Sequence, residues 1–194
     1  MRDSLSKAIQ ELTEAGCETP RLDAEVLLAG GLGCERHEIY SGLRTKPRDK
    51  LKLFQSYVER RKKREPVAYI LGLKEFWSIP IKVTPDVLIP RPETEEIVEK
   101  AMAILDKGPV KILDLGTGSG CIAAALAKEL SNATFVVSDI SKKALEVARE
   151  NLGLAKGRVA FAESDLFENI SGKFDLIVSN PPYVASKDWE KLQP

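Results

Sequence analysis

Two short stretches of the chain hold the residue types that could do chemistry. The first is Asp114-Leu115-Gly116-Thr117-Gly118-Ser119-Gly120, set between an apolar run and an Ala-rich stretch. A turn from strand to helix at this place can bring a ligand up to the backbone only if no Cβ stands in the way, which is what glycine supplies. The ligand would then lie against free N–H groups at the helix N-terminus. Asp139, 23 residues after Gly116, closes the next apolar run, where an acid can accept hydrogen bonds from ribose hydroxyls. A dinucleotide fingerprint would need its third glycine at position 121, which is Cys121; here that glycine is Gly120.

The second stretch is Asn180-Pro181-Pro182-Tyr183, directly after the apolar run 174–178. Prolines end strands and Asn favours turns, so the tetrapeptide also reads as a plain strand terminator. Its place at the C-terminal end of a strand, the edge where open α/β sheets bind ligands, favours a site. The Asn180 side-chain oxygen and the Pro181 carbonyl are two acceptors, and proline holds φ fixed and adds no N–H of its own. Such a pair can take both hydrogens of a planar amide or amino group and leave its nitrogen lone pair aimed at an electrophile. Tyr183 can pack on the flat group. Catalysis would then be alignment and desolvation, without metal or histidine.

The elements that must position these residues alternate. Val110–Leu115, Thr134–Ser138, Arg158–Phe161 and Phe174–Val178 read as strands, with helices over 121–130 and behind Ser141 as N-cap. This alternation predicts an α/β fold with a doubly wound parallel sheet. Pro92 suits the first position of a helix that runs to about Leu105. Phe76-Trp77 and Ile79–Val83, among prolines 80, 85, 90 and 92, predict a small β-hairpin used as a linker. Before it, residues 1–65 read as short helices. One lies behind Ser4 as N-cap and stops at Gly16. A second follows Pro20, with Leu22, Val26 and Leu27 as its apolar stripe, and ends at Gly30-Gly31. A third follows Pro47 with Leu51, Phe54 and Val58 on one face. Arg60-Arg61-Lys62-Lys63-Arg64 reads as a solvated helix end. The expected domains are therefore 1–65 helical, 66–91 hairpin linker and 92–194 partial sheet domain.

Composition narrows the classes. In 194 residues, 29 Lys+Arg balance 29 Asp+Glu, so no global field draws nucleic acid. With 43% hydrophobic residues the chain can bury a core. Cys17, Cys34 and Cys121 fit neither a disulfide framework nor a zinc site, and His37 alone cannot build a His-based metal cluster. No signal peptide or membrane span is expected, which points to the cytoplasm.

The glycine loop resembles the first motif of class I S-adenosylmethionine-dependent methyltransferases, and Asn-Pro-Pro-Tyr that of methyltransferases acting on planar nitrogens. Pro66-Val67-Ala68-Tyr69-Ile70-Leu71-Gly72, Glu75-Phe76-Trp77 and Val87-Leu88-Ile89-Pro90-Arg91-Pro92-Glu93-Thr94-Glu95 extend the likeness from the N-terminal helices to the last residue. The whole chain resembles peptide-chain release factor glutamine methyltransferases, and the Ile89–Glu95 block is specific to that group. The resemblance implies a Rossmann-like methyltransferase domain and S-adenosylmethionine as cofactor. The acceptor would be the N5 nitrogen of the glutamine in the Gly-Gly-Gln loop of release factors, the protein partner, docked by the helical domain. Gly116, Thr117, Gly118, Ser119 and Gly120 would meet the methionine part of the cofactor and Asp139 its ribose. Asp165 and Leu166 would border the adenine, Leu166 standing where family members often carry an aromatic residue. Asn180, Pro181, Pro182 and Tyr183 would hold the glutamine, with Asn180, Pro181 and Tyr183 catalytic and Asn180 also beside the cofactor. A monomer with no direct nucleic-acid binding is expected. The alternatives are an exocyclic-amine methyltransferase of DNA or RNA, which would need a positive base-extracting surface, and an inactive fragment. The family's sheet continues beyond the tetrapeptide, so a chain ending at Pro194 is expected to be a truncated form, marginally stable and poorly active.

Overall fold

The computed structural model describes residues 2–40, 48–105 and 108–181, and the chain divides after Leu71 into two compact units. The first is helical: α1 (Arg2–Glu14), α2 (Pro20–Leu32), α3 (Arg48–Lys62) and α4 (Val67–Leu71). Leu12, Leu27, Leu28, Phe54, Val58 and Ile70 fill its core. Burying each such side chain stabilises by about 1.5–3 kcal/mol.

Several local expectations give way to packing. Ser4 lies inside α1, which begins at Arg2, so Ser4 is not its N-cap. Gly16, at φ +72°, does end the helix region, with the Gly16 N–H donating to the Thr13 carbonyl. Gly30 and Gly31 do not stop α2. A Cβ on Gly30 would come within 2.5 Å of the Leu71 side chain, so Gly30 allows close approach, while one on Gly31 would make ordinary contact with Phe54 at 3.5 Å. The stop is Gly33, left-handed at φ +66°. In α2 the buried stripe runs through Ala24, Leu27 and Leu28, while Leu22 is exposed. Val67–Leu71, expected within the hairpin linker, is helical.

The basic run is not a solvated end. Arg61 Nε donates to Asp23 Oδ2 at 2.8 Å, Arg60 pairs with Glu65, Lys62 Nζ reaches Glu59 at 2.9 Å, and Arg64 donates to the Gly16 carbonyl. The Arg61–Asp23 ion pair ties α3 to α2, and the Arg64 hydrogen bond ties the end of the run to the α1–α2 turn; sequence periodicity carries no trace of either.

The second unit opens with the hairpin β1 (Leu73–Phe76) and β2 (Ile79–Lys82), paired antiparallel with Phe76 opposite Ile79. Its two turn residues, Trp77 and Ser78, both take φ +52°, as a tight hairpin turn requires. Neither is a glycine, and the strain is offset by Trp77, whose N–H donates to Glu95 Oε1 at 2.7 Å and whose Nε1 donates to Glu129 Oε1 at 2.9 Å. A 3-10 turn (Pro92–Thr94) leads into α5 (Glu95–Ile104).

Then β3 (Lys111–Leu115), α6 (Cys121–Glu129), β4 (Thr134–Asp139), α7 (Lys142–Asn151), β5 (Val159–Glu163) and β6 (Leu176–Ser179) follow. The four strands form a parallel sheet in the order β5-β4-β3-β6. This is the expected Rossmann-like α/β architecture. Ile112, Phe135 and Val137 lie buried in the sheet, and Ala123 to Leu126 of α6 with Leu145 and Ala148 of α7 are buried too. Ser141 caps α7 as expected, its Oγ accepting from the Ala144 N–H at 3.3 Å.

Candidate functional site

Strand register gathers the expected residues at one edge. Leu115 of β3 pairs with Ser179 of β6 and with Ser138 of β4, and Asp139 pairs with Glu163 of β5. The strands are parallel, so the glycine loop, Asp139, the loop at Ser164 and Asn180 all emerge together at the C-terminal ends. Ser179 Oγ donates to the Leu115 carbonyl at 2.8 Å and locks the two central loops side by side.

Within the loop Gly116, Gly118 and Gly120 have φ of +69°, +55° and +77°, a region costly for any residue with a Cβ. The three differ in surroundings. A Cβ on Gly116 or Gly118 would meet open space, whereas one on Gly120 would strike Ala148 of α7 at 3.0 Å. Gly116 and Gly118 therefore form an open cradle, and Gly120 lets α7 pack beneath it. Thr117 and Ser119 are buried, and Asn151 braces the loop from α7. Its Nδ2 donates both to the Ser119 carbonyl at 2.8 Å and to the Lys82 carbonyl at 2.9 Å, and its Oδ1 accepts the Lys82 N–H at 2.8 Å.

Asp139 is held in place by two backbone donors, Gly118 N–H to Oδ2 and Ser141 N–H to Oδ1, both at 2.9 Å. Asp114 is almost wholly buried. Its Oδ2 accepts from Thr117 Oγ1 at 2.8 Å and from the Ala123 N–H at 3.3 Å, while its Oδ1 has no partner among the described residues. Burial pushes the Asp114 carboxyl up to about 6, against the pull of those two hydrogen bonds. Cys121, at the start of α6, is likewise pushed by burial up to about 12, so its thiol behaves as a small apolar group.

Asp165 and Leu166 lie exposed on the loop after β5, with Leu166 in a left-handed conformation at φ +45°. Buried Ser164 braces that turn, donating from Oγ to the Leu166 carbonyl at 2.9 Å and accepting the Asn169 N–H at 2.9 Å. Half-buried Asn180 donates from Nδ2 to Thr94 Oγ1 at 3.1 Å, and Pro181 is exposed. Pro182 and Tyr183 lie outside the described residues. Sequence reasoning left out Asp114, Asn151, Ser164 and Thr94 as site residues. Asp114 opens the glycine motif and Thr94 sits in the Ile89–Glu95 block, so those two carried a signal; Asn151 and Ser164 carried none.

Residues 3–72 match the PrmC N-terminal domain and residues 96–192 the methyltransferase small domain. The release factor glutamine methyltransferase of Koribacter versatilis is 40% identical over all of this chain and 70% of its own length. The chain belongs to the release factor glutamine methyltransferase family. The relative from Geobacter sulfurreducens is 46% identical over 94% of this chain, and that from Rhodopirellula baltica 43% over 91%. The chain spans 65% and 63% of the length of those two relatives. Among the described residues no helix is long and apolar enough to cross a membrane.

Proposed function

We propose that this protein transfers a methyl group from S-adenosylmethionine to the side-chain amide nitrogen of the glutamine in the Gly-Gly-Gln loop of release factors. The observation that carries this reading is the pairing of Leu115 with Ser179, which sets a glycine cradle beside an Asn-Pro acceptor pair. The cradle fits the cofactor. Space over Gly116 and Gly118 admits a ligand against the backbone, Asp139 offers carboxylate lone pairs at the end of β4, and the unpartnered Asp114 Oδ1 suits a cationic amino group nearby. Asp165 and Leu166 would flank the base. When bound, the cofactor supplies an electrophilic methyl on a sulfonium sulfur.

The chain's own part is alignment. Asn180 Oδ1 and the Pro181 carbonyl accept the two amide hydrogens of the glutamine, which fixes the plane of the group and turns its lone pair toward the methyl carbon. As the C–N bond forms and the C–S bond breaks, positive charge develops on nitrogen, and the same two oxygens stabilise it. One N–H proton then leaves to solvent. Pro182 and Tyr183 would complete the wall around the amide, and the helical unit would dock the release factor in the cytoplasm, with the enzyme acting as a monomer and without direct nucleic-acid binding.

Incubation with radiolabelled S-adenosylmethionine and unmethylated release factor tests this, with a Gln→Ala release factor as control. Label on the glutamine-bearing protein alone is the expected result. Label on both proteins, on neither, or on added DNA or RNA overturns it.

A further inference from the structure

The Ile89–Glu95 block has so far no part in the chemistry, yet it holds the only described partner of the Asn180 side chain. Thr94 ends the 3-10 turn and is 6% exposed. Its backbone N–H donates to the Arg91 carbonyl at 3.0 Å, and its Oγ1 accepts from Asn180 Nδ2 at 3.1 Å, 86 residues away in the chain. The turn is itself held firmly: Pro92 fixes its own φ, and Glu95, the next residue, accepts the Trp77 N–H at 2.7 Å.

A carboxamide is nearly symmetric in shape, so turning it over exchanges acceptor for donor at almost no steric cost. In the site described above, only one of the two orientations is useful. With Oδ1 toward the glutamine, Asn180 accepts an N–H; turned over, it would present N–H to N–H. We propose that Thr94 is a positioning residue, whose hydroxyl oxygen accepts the Asn180 Nδ2 hydrogen, anchors the amide at that end and leaves Oδ1 to face the methyl-accepting nitrogen. The inference rests on the reading of Asn180 as the group that holds that nitrogen. The Ile89–Glu95 block then has a physical role, which is to carry one buried hydroxyl to the end of β6.

The test compares Thr94→Val, equal in shape but without the acceptor, with Thr94→Ser, which keeps it. Two readouts are taken. The Asn180 side-chain NH2 signals, assigned with Asn180→Asp, are followed by nitrogen-edited NMR of the full chain. Methylation of release factor is followed as kcat and KM. In Thr94→Val the NH2 signals are expected to move toward those of a solvated amide. Its kcat is expected to fall about 10-fold, the size of one lost hydrogen bond, with the KM for release factor little changed. Thr94→Ser restores both. In an Asn180→Ala background Thr94→Val causes no further loss of kcat, whereas a merely structural role would add its own. NH2 signals that stay put in Thr94→Val, equal losses from Val and Ser, or additive losses with Asn180→Ala overturn the proposal. Should the parent chain label no glutamine, the functional reading falls, and the NMR arm still decides whether Thr94 holds the amide.

Discussion

Carboxylates are treated in opposite ways in the two units. In the helical unit Glu65 is held below the usual carboxylate range by its hydrogen bonds from Arg60, and Glu25 by those from Tyr40 and then Arg21. Asp23 is closed off by Thr19 Oγ1 at 2.8 Å and by Arg61. In the sheet unit Asp114 is pushed the other way, with one oxygen bonded and one left over. Where every polar group meets a partner, the network holds a shape. Where a buried group is left unmatched beside an open glycine cradle, stability has been given up at a place a ligand can use.

That contrast breaks most sharply on pH. The Asp114 carboxyl moves from 3.8 to about 6 on folding. Between those values the native chain binds more protons than the unfolded one, so this group makes stability fall as pH rises from about 4 to about 6, and the loss stays constant above. At about 1.4 kcal/mol for each pH step across that window, the group costs roughly 3 kcal/mol at neutral pH. Urea unfolding of the parent chain and of Asp114→Asn from pH 4 to 7 reads this directly. The difference in stability, parent minus variant, should decline with pH and level off above about 6. A difference flat with pH would mean that burial does not shift the Asp114 carboxyl on folding.

The helical unit should fail by the opposite route. Arg61 and Asp23 have side chains 17% and 9% exposed. Arg61→Ala leaves a buried carboxylate with Thr19 as its remaining side-chain donor, a loss of about 3 kcal/mol, the lower end for a broken buried pair. Calorimetry should show a lower melting temperature, with much of it regained in the double variant Arg61→Ala, Asp23→Ala, since removing both charges removes the unpaired one. S-adenosylhomocysteine affinity should not change in either variant. A double variant no better than the single one would show that the loss comes from Arg61's own packing and its bond to the Glu65 carbonyl at 3.1 Å instead.

Legibility followed the range of the interactions. The glycine loop, Asp139 and Asn180 could be read because strand ends and the spacing of glycines are local patterns, and register then brought them to one edge. The four strands and the Ser141 cap were visible for the same reason. What escaped was set by partners far off in sequence. Gly30-Gly31 resembles a helix stop until Phe54 and Leu71 are seen against it, and α4 is too short to leave a periodic signature. The cation run 60–64 resembles a solvated end until Asp23 and Glu11 are placed within reach. Thr94 could be singled out as part of a motif, but its role depends on Asn180, which only the fold brings near.

The smallest effect sharpens the comparison further, because it separates charge from burial. Lys100 and Glu96 form an i,i+4 pair at 3.4 Å on α5, with side chains 79% and 67% exposed. Both ions keep most of their water, so the Coulomb gain is screened and partly offset by the entropy of holding two long side chains together. Lys100→Ala should therefore change stability by under about 0.5 kcal/mol, and raising the salt concentration should erase even that. Arg61→Ala should keep most of its effect at high salt, since its pair is shielded from the solvent that does the screening. If the two variants responded alike to salt, the network of the helical unit would owe its strength to charge alone, and the distinction between saturated and unsaturated polar groups would lose its basis.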